Sequence, residues 1–403
     1  MNKWRVLLTL ALGELLAMSL WFSATAVVPA LSDSWQLTPA QAAWLTMAVQ
    51  VGFVVGTLAI ALLNIADLWP ARFVCAGGAL LGAICNALIV PTDSFAVAIP
   101  LRIMTGMSLA AVYPVGMKIM ATWTREDRGL GLGLLVGALT VGSASPHLIR
   151  GLGGIAAWQP VLITSSMMAV GGGLLIGWTG HLGPFRGQTP RFQWNYLARL
   201  IWDRPLRLAT LGYLGHMWEL YAMWTWIPIF LAFAYQGQSV LGATEPGRLA
   251  SYVAFAVIAA GGASSLAAGI LADRWGRTRT TITSMAISGS CAVTIGFFSH
   301  GHPLMVTAIA MIWGISVVAD SAQFSTAISE IGEPEYMGTL LTTQTSLGFL
   351  LTLVTIRATP VLSNSVGWTW AFAPLALGPL LGCWAMWQLK KSPEAAKLAG
   401  GRG

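Results

Sequence analysis

Twelve apolar stretches, each about as long as a helix needs to cross a hydrocarbon layer, follow one another along this chain and leave few ways to fold it. Polar and Gly/Pro clusters delimit them at 5–31, 41–64, 73–92, 95–122, 129–150, 158–179, 208–234, 248–271, 280–299, 304–331, 338–361 and 367–389. Hydrophobic residues make up 56% of the chain and charged residues only 9%. A typical soluble domain carries roughly 25% charged residues and has no means of hiding so much apolar surface. The first stretch follows Lys3 and Arg5, is longer than a signal-peptide core and ends at Leu31 without an A-x-A-like site, so it reads as a retained span. The expected class is an all-α membrane protein with twelve transmembrane helices.

The formal charge of +7 is topological once the basic residues are located. With the N-terminus inside, 17 of the 22 Lys and Arg residues fall in cytoplasmic segments, while Arg102, Lys118, Arg150, Arg248 and Arg357 lie within spans or at their outer ends. The positive-inside rule then puts both termini in the cytoplasm and the protein in the cytoplasmic (inner) membrane. No basic stripe with interleaved aromatics occurs on a polar helix, which argues against a nucleic-acid partner. Trp4, Trp35, Trp69, Trp158, Trp368 and Trp387 fall near expected interfaces and read as belt anchors. The four cysteines sit in apolar runs with no C-x-x-C pair and read as packed, reduced thiols.

One pattern occurs twice. Glu14–Trp21 reads ELLAMSLW and Glu219–Trp226 reads ELYAMWTW, both fitting E-L-x-A-M-x-x-W at an offset of 205 positions. Helical spacing puts Glu14, Met18 and Trp21 on one stripe, and Glu219, Met223 and Trp226 on its counterpart. A second landmark, Ala66-Asp67-Leu68-Trp69 against Ala272-Asp273-Arg274-Trp275, repeats at an offset of 206. Two landmarks with nearly one offset imply duplication. The longest polar break, Gly180 to Arg207, carries five arginines and divides the chain into a first half (1–179), a cytoplasmic linker (180–207) and a second half with a short tail (208–403).

The segment Gly269–Arg279, GILADRWGRTR, resembles the loop signature G-x-x-x-D-R-x-G-R-[RK]-[RK] of the major facilitator superfamily. The first-half copy, NIADLWPARF, keeps Asp67 and Arg72 but has Leu68 and Pro70 where Arg and Gly are usual. Arg102, Gly106 and Ala110 match that family's R-x-x-x-G-x-x-x-A pattern in span four. The resemblance covers essentially the whole chain and implies two pseudo-symmetric six-helix bundles working by alternating access. It also implies an inner gate formed by Asp273, Arg274, Gly276 and Arg277, with Asp67 and Arg72 as the weaker counterpart. For Arg102 it implies proton or substrate handling.

Glu14 and Glu219 are the leading functional candidates. Each lies about 15–18 Å into its span, near the bilayer midplane, where a carboxylate is costly and faces a bundle interior or a watery cavity. Taking a carboxylate out of water favours its protonated form, so such a residue can load and release a proton as the cavity is wetted from alternate sides. The bland reading is a protonated Glu hydrogen-bonded between helices. The two acids are expected to share one central chamber. His216, three residues before Glu219, offers a His–Glu relay or else a neutral imidazole bonded to a nearby hydroxyl. Asp320, in the polar stretch ADSAQFST, lines the cavity or serves the inner gate, and Gln344 offers amide contacts. Trp21 and Trp226 form aromatic walls or pack between helices. Arg102, His147, Arg150 and Arg357 form a positive outer vestibule favouring anions, or snorkel to headgroups.

The missing motifs narrow the function. No P-loop is present, so ATP is not the energy source. No H-E-x-x-H and no nucleophile–base pair is evident, which argues against an enzyme, and no tight ligand cluster argues for a metal or other cofactor. Span five lacks the contiguous Gly-Pro of the drug–proton antiporter signature. The expectation is a monomeric secondary transporter taking up a small polar or anionic solute with protons. Proton-driven efflux of a metabolite or drug is the alternative, and a non-transporting scaffold or sensor is the alternative of another class.

Overall fold

The computed structural model describes residues 2–124, 128–185, 193, 196–236 and 245–403, without the side chains of Ala66, Asp67, Arg128, Gly129 and Pro334. Arg125, Arg186 and Arg191, used for orientation, and the Asp67 side chain, read as a gate residue, lie outside the described residues. Among those described there is no strand. The first span is broken into α1 (Lys3–Met18), α2 (Ser23–Ala26) and α3 (Val28–Trp35). Then come α4 (Pro39–Leu62), the short α5 (Ile65–Leu68) and α6 (Ala71–Ala87). Span four is α7 (Phe95–Ala110) with α8 (Tyr113–Ala121), and α9 (Arg128–Gly153) and α10 (Gln159–Thr179) finish the first half. After α11 (Arg199–Trp202) the second half holds α12 (Arg204–Ala234), α13 (Pro246–Trp275) and α14 (Arg277–Thr294). It ends with α15 (Pro303–Ala319), α16 (Ser321–Ile331), α17 (Met337–Val366), α18 (Trp368–Ala371) and α19 (Leu377–Lys390).

Ten of the described helices are long and apolar enough to cross a membrane. The first and third expected spans are the two that fall short. The third is the 17-residue α6. In the first, Ser19 Oγ donates to the Leu16 carbonyl at 2.7 Å and to Ser165 O at 3.0 Å, while Ser23 Oγ donates to Leu20 O at 2.9 Å. These hydroxyls compete with the helical ladder, and the chain turns between Met18 and Ser23. Elsewhere the starts carry expected signals. Thr38 and Gln41 form a reciprocal capping box ahead of α4, with Pro39 at the first helical position.

Packing follows the duplication. In the first half α1 packs on α9 and α10, α4 on α7, and α6 on α7 and α10; in the second, α12 packs on α17 and α19, α13 on α15, and α14 on α15 and α19. Each pair maps onto its counterpart. The halves join through α9 against α13 and α4 against α17, again an equivalent pair. Small residues allow the close crossings. A methyl at Gly106 on α7 would collide with the Val49 carbonyl oxygen of α4.

Of the expected belt tryptophans, Trp4, Trp69 and Trp387 are exposed, whereas Trp158 is buried edge-on against Trp35, 5.6 Å between centroids. Trp158 therefore fastens the start of α10 to the end of α3. All four cysteines are free, Cys75, Cys85 and Cys291 among them buried.

Candidate functional site: paired acids inside two six-helix halves

Glu219 lies within the second half, 1% exposed. Its Oε2 accepts the Ser288 hydroxyl of α14 at 2.7 Å, and its Oε1 accepts the Trp313 indole N–H of α15 at 2.8 Å. One turn earlier on α12, His216 sits on the same face. Its Nδ1 is 2.9 Å from Asp320 Oδ1, both side chains 2% exposed, and its Nε2 is 2.8 Å from Ser321 Oγ. The 2.9 Å separation is short, yet Asp320 Oδ1 accepts no aligned hydrogen bond, so the contact is electrostatic in kind. Asp320 reaches this position because α15 ends and α16 begins on either side of it. Glu219 and Asp320 lie within electrostatic reach of one another. His216 thus pairs with Asp320 and Ser321 rather than with Glu219.

Glu14 occupies the equivalent place in the first half, also 1% exposed. Both its carboxyl oxygens are buried and unpaired within the described residues. A methyl at Gly116 of α8 would stand 3.3 Å from its Oε2, and Cys75 of α6 and Tyr113 of α8 lie within its electrostatic reach. The polar contacts of Glu219 are to Ser288 and Trp313 of the second half, and among the described residues none links it to Glu14. Glu14 is faced by α6 and α8, and Glu219 by α14 and α15; Tyr113, beside Glu14, also lies within electrostatic reach of Tyr213 on α12. The stripe of Glu14, Met18 and Trp21 is split. Met18 faces Gly142 of α9, and Trp21 lies beyond the end of α1.

Arg102 is fully buried and held by the break in the first span. Its Nη2 donates to Trp21 O at 2.6 Å, its Nη1 to Leu20 O at 3.0 Å, Ser23 Oγ at 3.2 Å and Asn86 Oδ1 at 3.3 Å, and its Nε to Leu45 O at 3.1 Å. A guanidinium so enclosed satisfies carbonyls that the interrupted helix leaves open. This corrects its expected place in a solvent-facing vestibule. His147, also fully buried, has both ring nitrogens unpaired within the described residues, Arg150 is buried, and Arg357 is half-buried.

Between the halves stands an aromatic cluster. The Trp21 ring lies 4.8 Å from Phe53, 5.8 Å from Tyr221 and 5.5 Å from Phe349, and Phe53 lies 4.7 Å from Phe349. The indole nitrogens of Trp21 and Trp224 and the amides of Gln50 and Gln344 are buried and unpaired within the described residues. Trp226 instead donates to Ile356 O at 2.9 Å and ties α12 to α17, and Met223 is fully buried.

On the side expected to be cytoplasmic, Arg277 donates through Nε and Nη2 to Glu330 of α16 at 2.7 Å each, through Nη1 to Gln323 Oε1 at 2.9 Å, and through Nη2 to Asp273 at 3.2 Å. Two carboxylates and an amide oxygen thus compensate a guanidinium that is largely withdrawn from water, with both fork nitrogens aimed at Glu330. Gly276 has φ +97°, and a methyl there would collide with the Arg402 carbonyl of the tail. Arg274 is exposed. In the first half Arg72 meets His181, Nη1 to Nε2 at 2.7 Å.

The model of one family, the Major Facilitator Superfamily, matches residues 10–353. The chain belongs to the Major Facilitator Superfamily. Similar solved structures share its fold. A mutant of the nucleoside transporter NupG, with one aspartate replaced by alanine, aligns with TM-score 0.72 and 14% identity, covering 95% of this chain and 99% of that one. NupG without that substitution aligns with TM-score 0.70 and 14% identity over 97% and 100%. The proton:xylose symporter XylE bound to 6-bromo-6-deoxy-D-glucose aligns with TM-score 0.68 and 13% identity over 96% and 95%. No curated protein matches the sequence. As a member of the superfamily the protein is a multi-pass membrane transporter and not an enzyme.

Several residues of this superfamily member escaped sequence reasoning. Ser288 and Trp313 read as ordinary span residues, because nothing along the chain marks which side chain will face a distant acid. Ser321 was signalled only by its place directly after Asp320. Glu330 lay outside the loop signature that it completes.

Proposed function

We propose that this protein is a secondary transporter that takes up a small polar solute together with protons by alternating access. Its two halves, 1–179 and 208–403, would rock about the cytoplasmic linker, with both termini in the cytoplasm. The observation that carries this reading is the Glu219–His216–Asp320 cluster, three ionisable side chains kept within one bundle of a membrane protein. Ionisable groups at such depth are expensive and mark proton or ion pathways. Glu14, without a hydrogen-bond partner among the described residues, serves as the corresponding site of the first half.

The solute is met by the aromatic cluster between the halves. Trp21, Phe53, Tyr221 and Phe349 supply faces for a ring or an apolar edge, and Gln50, Gln344 and the Trp21 indole supply hydrogen bonds. Enclosure of Arg102 by backbone carbonyls favours an uncharged polar solute over an anion. Two fold relatives are described as a nucleoside transporter and a proton:xylose symporter, which makes nucleosides and sugars the first solutes to try. Asp273, Arg274, Gly276 and Arg277 form the inner gate, with Asp67 and Arg72 the weaker counterpart.

Proteoliposomes loaded with buffer and offered labelled nucleosides, pentoses and hexoses across an inward-directed pH gradient test this reading. The expected result is accumulation that collapses with a protonophore and is lost in Glu219→Gln. Accumulation indifferent to the gradient would remove proton coupling, and gradient-driven loss of preloaded solute would reverse the direction.

A further inference from the structure

Between α14 and α15 the second half carries an open groove of about 630 Å³. Thr283, Ala286, Ser290 and Thr294 of α14 and Ile309 and Ile312 of α15 line it. The four α14 residues are exposed on a helix long and apolar enough to cross a membrane, so this face meets lipid. Its hydroxyls differ. Ser290 Oγ donates to Ala286 O at 2.7 Å and Thr294 Oγ1 to Ser290 O at 2.8 Å, so neither needs a partner in the groove. Thr283 Oγ1 makes no hydrogen bond among the described residues, and neither does the exposed Arg279 one turn nearer the start of α14. From Thr283 to Thr294 the groove runs about 16 Å, close to the roughly 15 Å of one hydrocarbon leaflet. Arg279 lies about 6 Å beyond it, at headgroup depth on the side expected to be cytoplasmic.

The duplication shows what this face could have been. At the offset of 206, α6 has Phe73, Leu80, Ile84 and Leu88 where α14 has Arg279, Ala286, Ser290 and Thr294. Phe73, Ile84 and Leu88 are exposed, which is the ordinary apolar surface of a helix against lipid. On α14 that bulk is gone, and a cation stands at the mouth of the hollow. We propose that the groove holds one acyl chain of an anionic phospholipid whose phosphate rests on Arg279. A guanidinium fork binds phosphate through paired hydrogen bonds. Thr283, one turn deeper, is placed to donate to an ester oxygen, and the rest of the groove takes chain. No acid pairs with Arg279 among the described residues, so its charge is free for the lipid. The cytoplasmic leaflet is where anionic headgroups meet basic side chains.

Native mass spectrometry of the full chain, released from detergent after titration with defined lipids, tests this. The wild type is expected to retain one dioleoyl phosphatidylglycerol, preferred over dioleoyl phosphatidylcholine by about fivefold, as one basic side chain at the surface provides. Arg279→Gln is expected to lose that preference, whereas Arg274→Gln, which removes the same charge from the neighbouring loop, is expected to keep it. Ala286→Leu with Ser290→Leu restores the bulk seen on α6 and is expected to cut retention of both lipids by about tenfold or more, since each buried methylene of the chain counts. Should that double variant not fold, Ser290→Leu alone carries the test. A preference that survives Arg279→Gln, one lost equally in Arg274→Gln, or retention unchanged by filling the groove overturns the proposal. So does a dimer that the filled groove dissolves, because the occupant is then a second copy of this chain.

Discussion

The indole N–H of Trp313 on α15 donates to Glu219 Oε1 at 2.8 Å, while the same ring packs edge-on against Phe372 with centroids 5.3 Å apart. The two roles separate by substitution. Trp313→Phe keeps a ring in the pocket and removes the donor, leaving Glu219 with Ser288 alone. A hydrogen bond of this kind contributes roughly 0.5–1.5 kcal/mol net. Gradient-driven uptake in proteoliposomes is expected to fall about tenfold at neutral pH, in line with that range. Uptake at the wild-type rate would show that the indole only fills space.

Arg102 makes five hydrogen bonds to the first span, α4 and Asn86, all of them buried. Arg102→Ala would take the guanidinium donor from the buried Trp21 carbonyl, whereas Leu20 O keeps the Ser23 hydroxyl. Leaving buried neutral acceptors without their donor costs about 1–3 kcal/mol each. Arg102→Lys is expected to recover little of it, because a point charge on a flexible stem cannot reproduce a planar fork spanning several acceptors. Thermal unfolding in detergent should show both variants well below the wild type. A melting temperature unchanged in Arg102→Ala would return this residue to the solute pathway.

How much of this was legible beforehand depended on the range of the signal. The duplication, the twelve apolar stretches and the loop signature around Arg277 are written in local patterns, and the structure pairs Arg277 with Asp273 and Glu330. The partners of Glu14 and Glu219 were not legible. Periodicity gives the face of a helix, but which neighbour that face meets depends on how the bundle closes. The break after Met18 was foreshadowed only by Ser19 and Ser23, whose hydroxyls compete with the backbone from within an apolar run. His216 illustrates both limits: its nearness to Glu219 is a matter of spacing, whereas its contact with Asp320 is a matter of tertiary packing.

Two glycines in adjacent helices make opposite predictions. Gly106 of α7 lies so close to α4 that a methyl would run into the Val49 carbonyl, a rigid obstacle. Gly77 of α6 has nothing within 4 Å of where its methyl would stand. Gly106→Ala is expected to push the helices apart and lower the melting temperature, at a cost of about 1–3 kcal/mol for overpacking. Gly77→Ala is expected to be neutral or to stabilise by up to about 1 kcal/mol, since alanine loses less backbone freedom in a helix. Equal melting temperatures for the two variants would contradict the α4–α7 crossing described above.

The last comparison sets Glu330, near the end of α16, against Glu333 just beyond it. Glu330 takes both Nε and Nη2 of Arg277, with 24% and 10% of the two side chains exposed, and it also accepts the Ala399 amide of the tail. Glu333 meets Arg199 at 2.5 Å, but with 57% and 43% exposed, where water and salt screen the pair. Glu330→Gln is expected to weaken the gate and free the tail together. Its melting temperature should drop, corresponding to about 1–3 kcal/mol after allowing for partial exposure, and trypsin should cut at Lys397 and Arg402 about tenfold faster. Glu333→Gln should leave both readouts near wild type. If Glu330→Gln loses stability while the tail stays protected, the tail is held by the buried Leu398 rather than by the carboxylate, and the two contacts on Glu330 act separately.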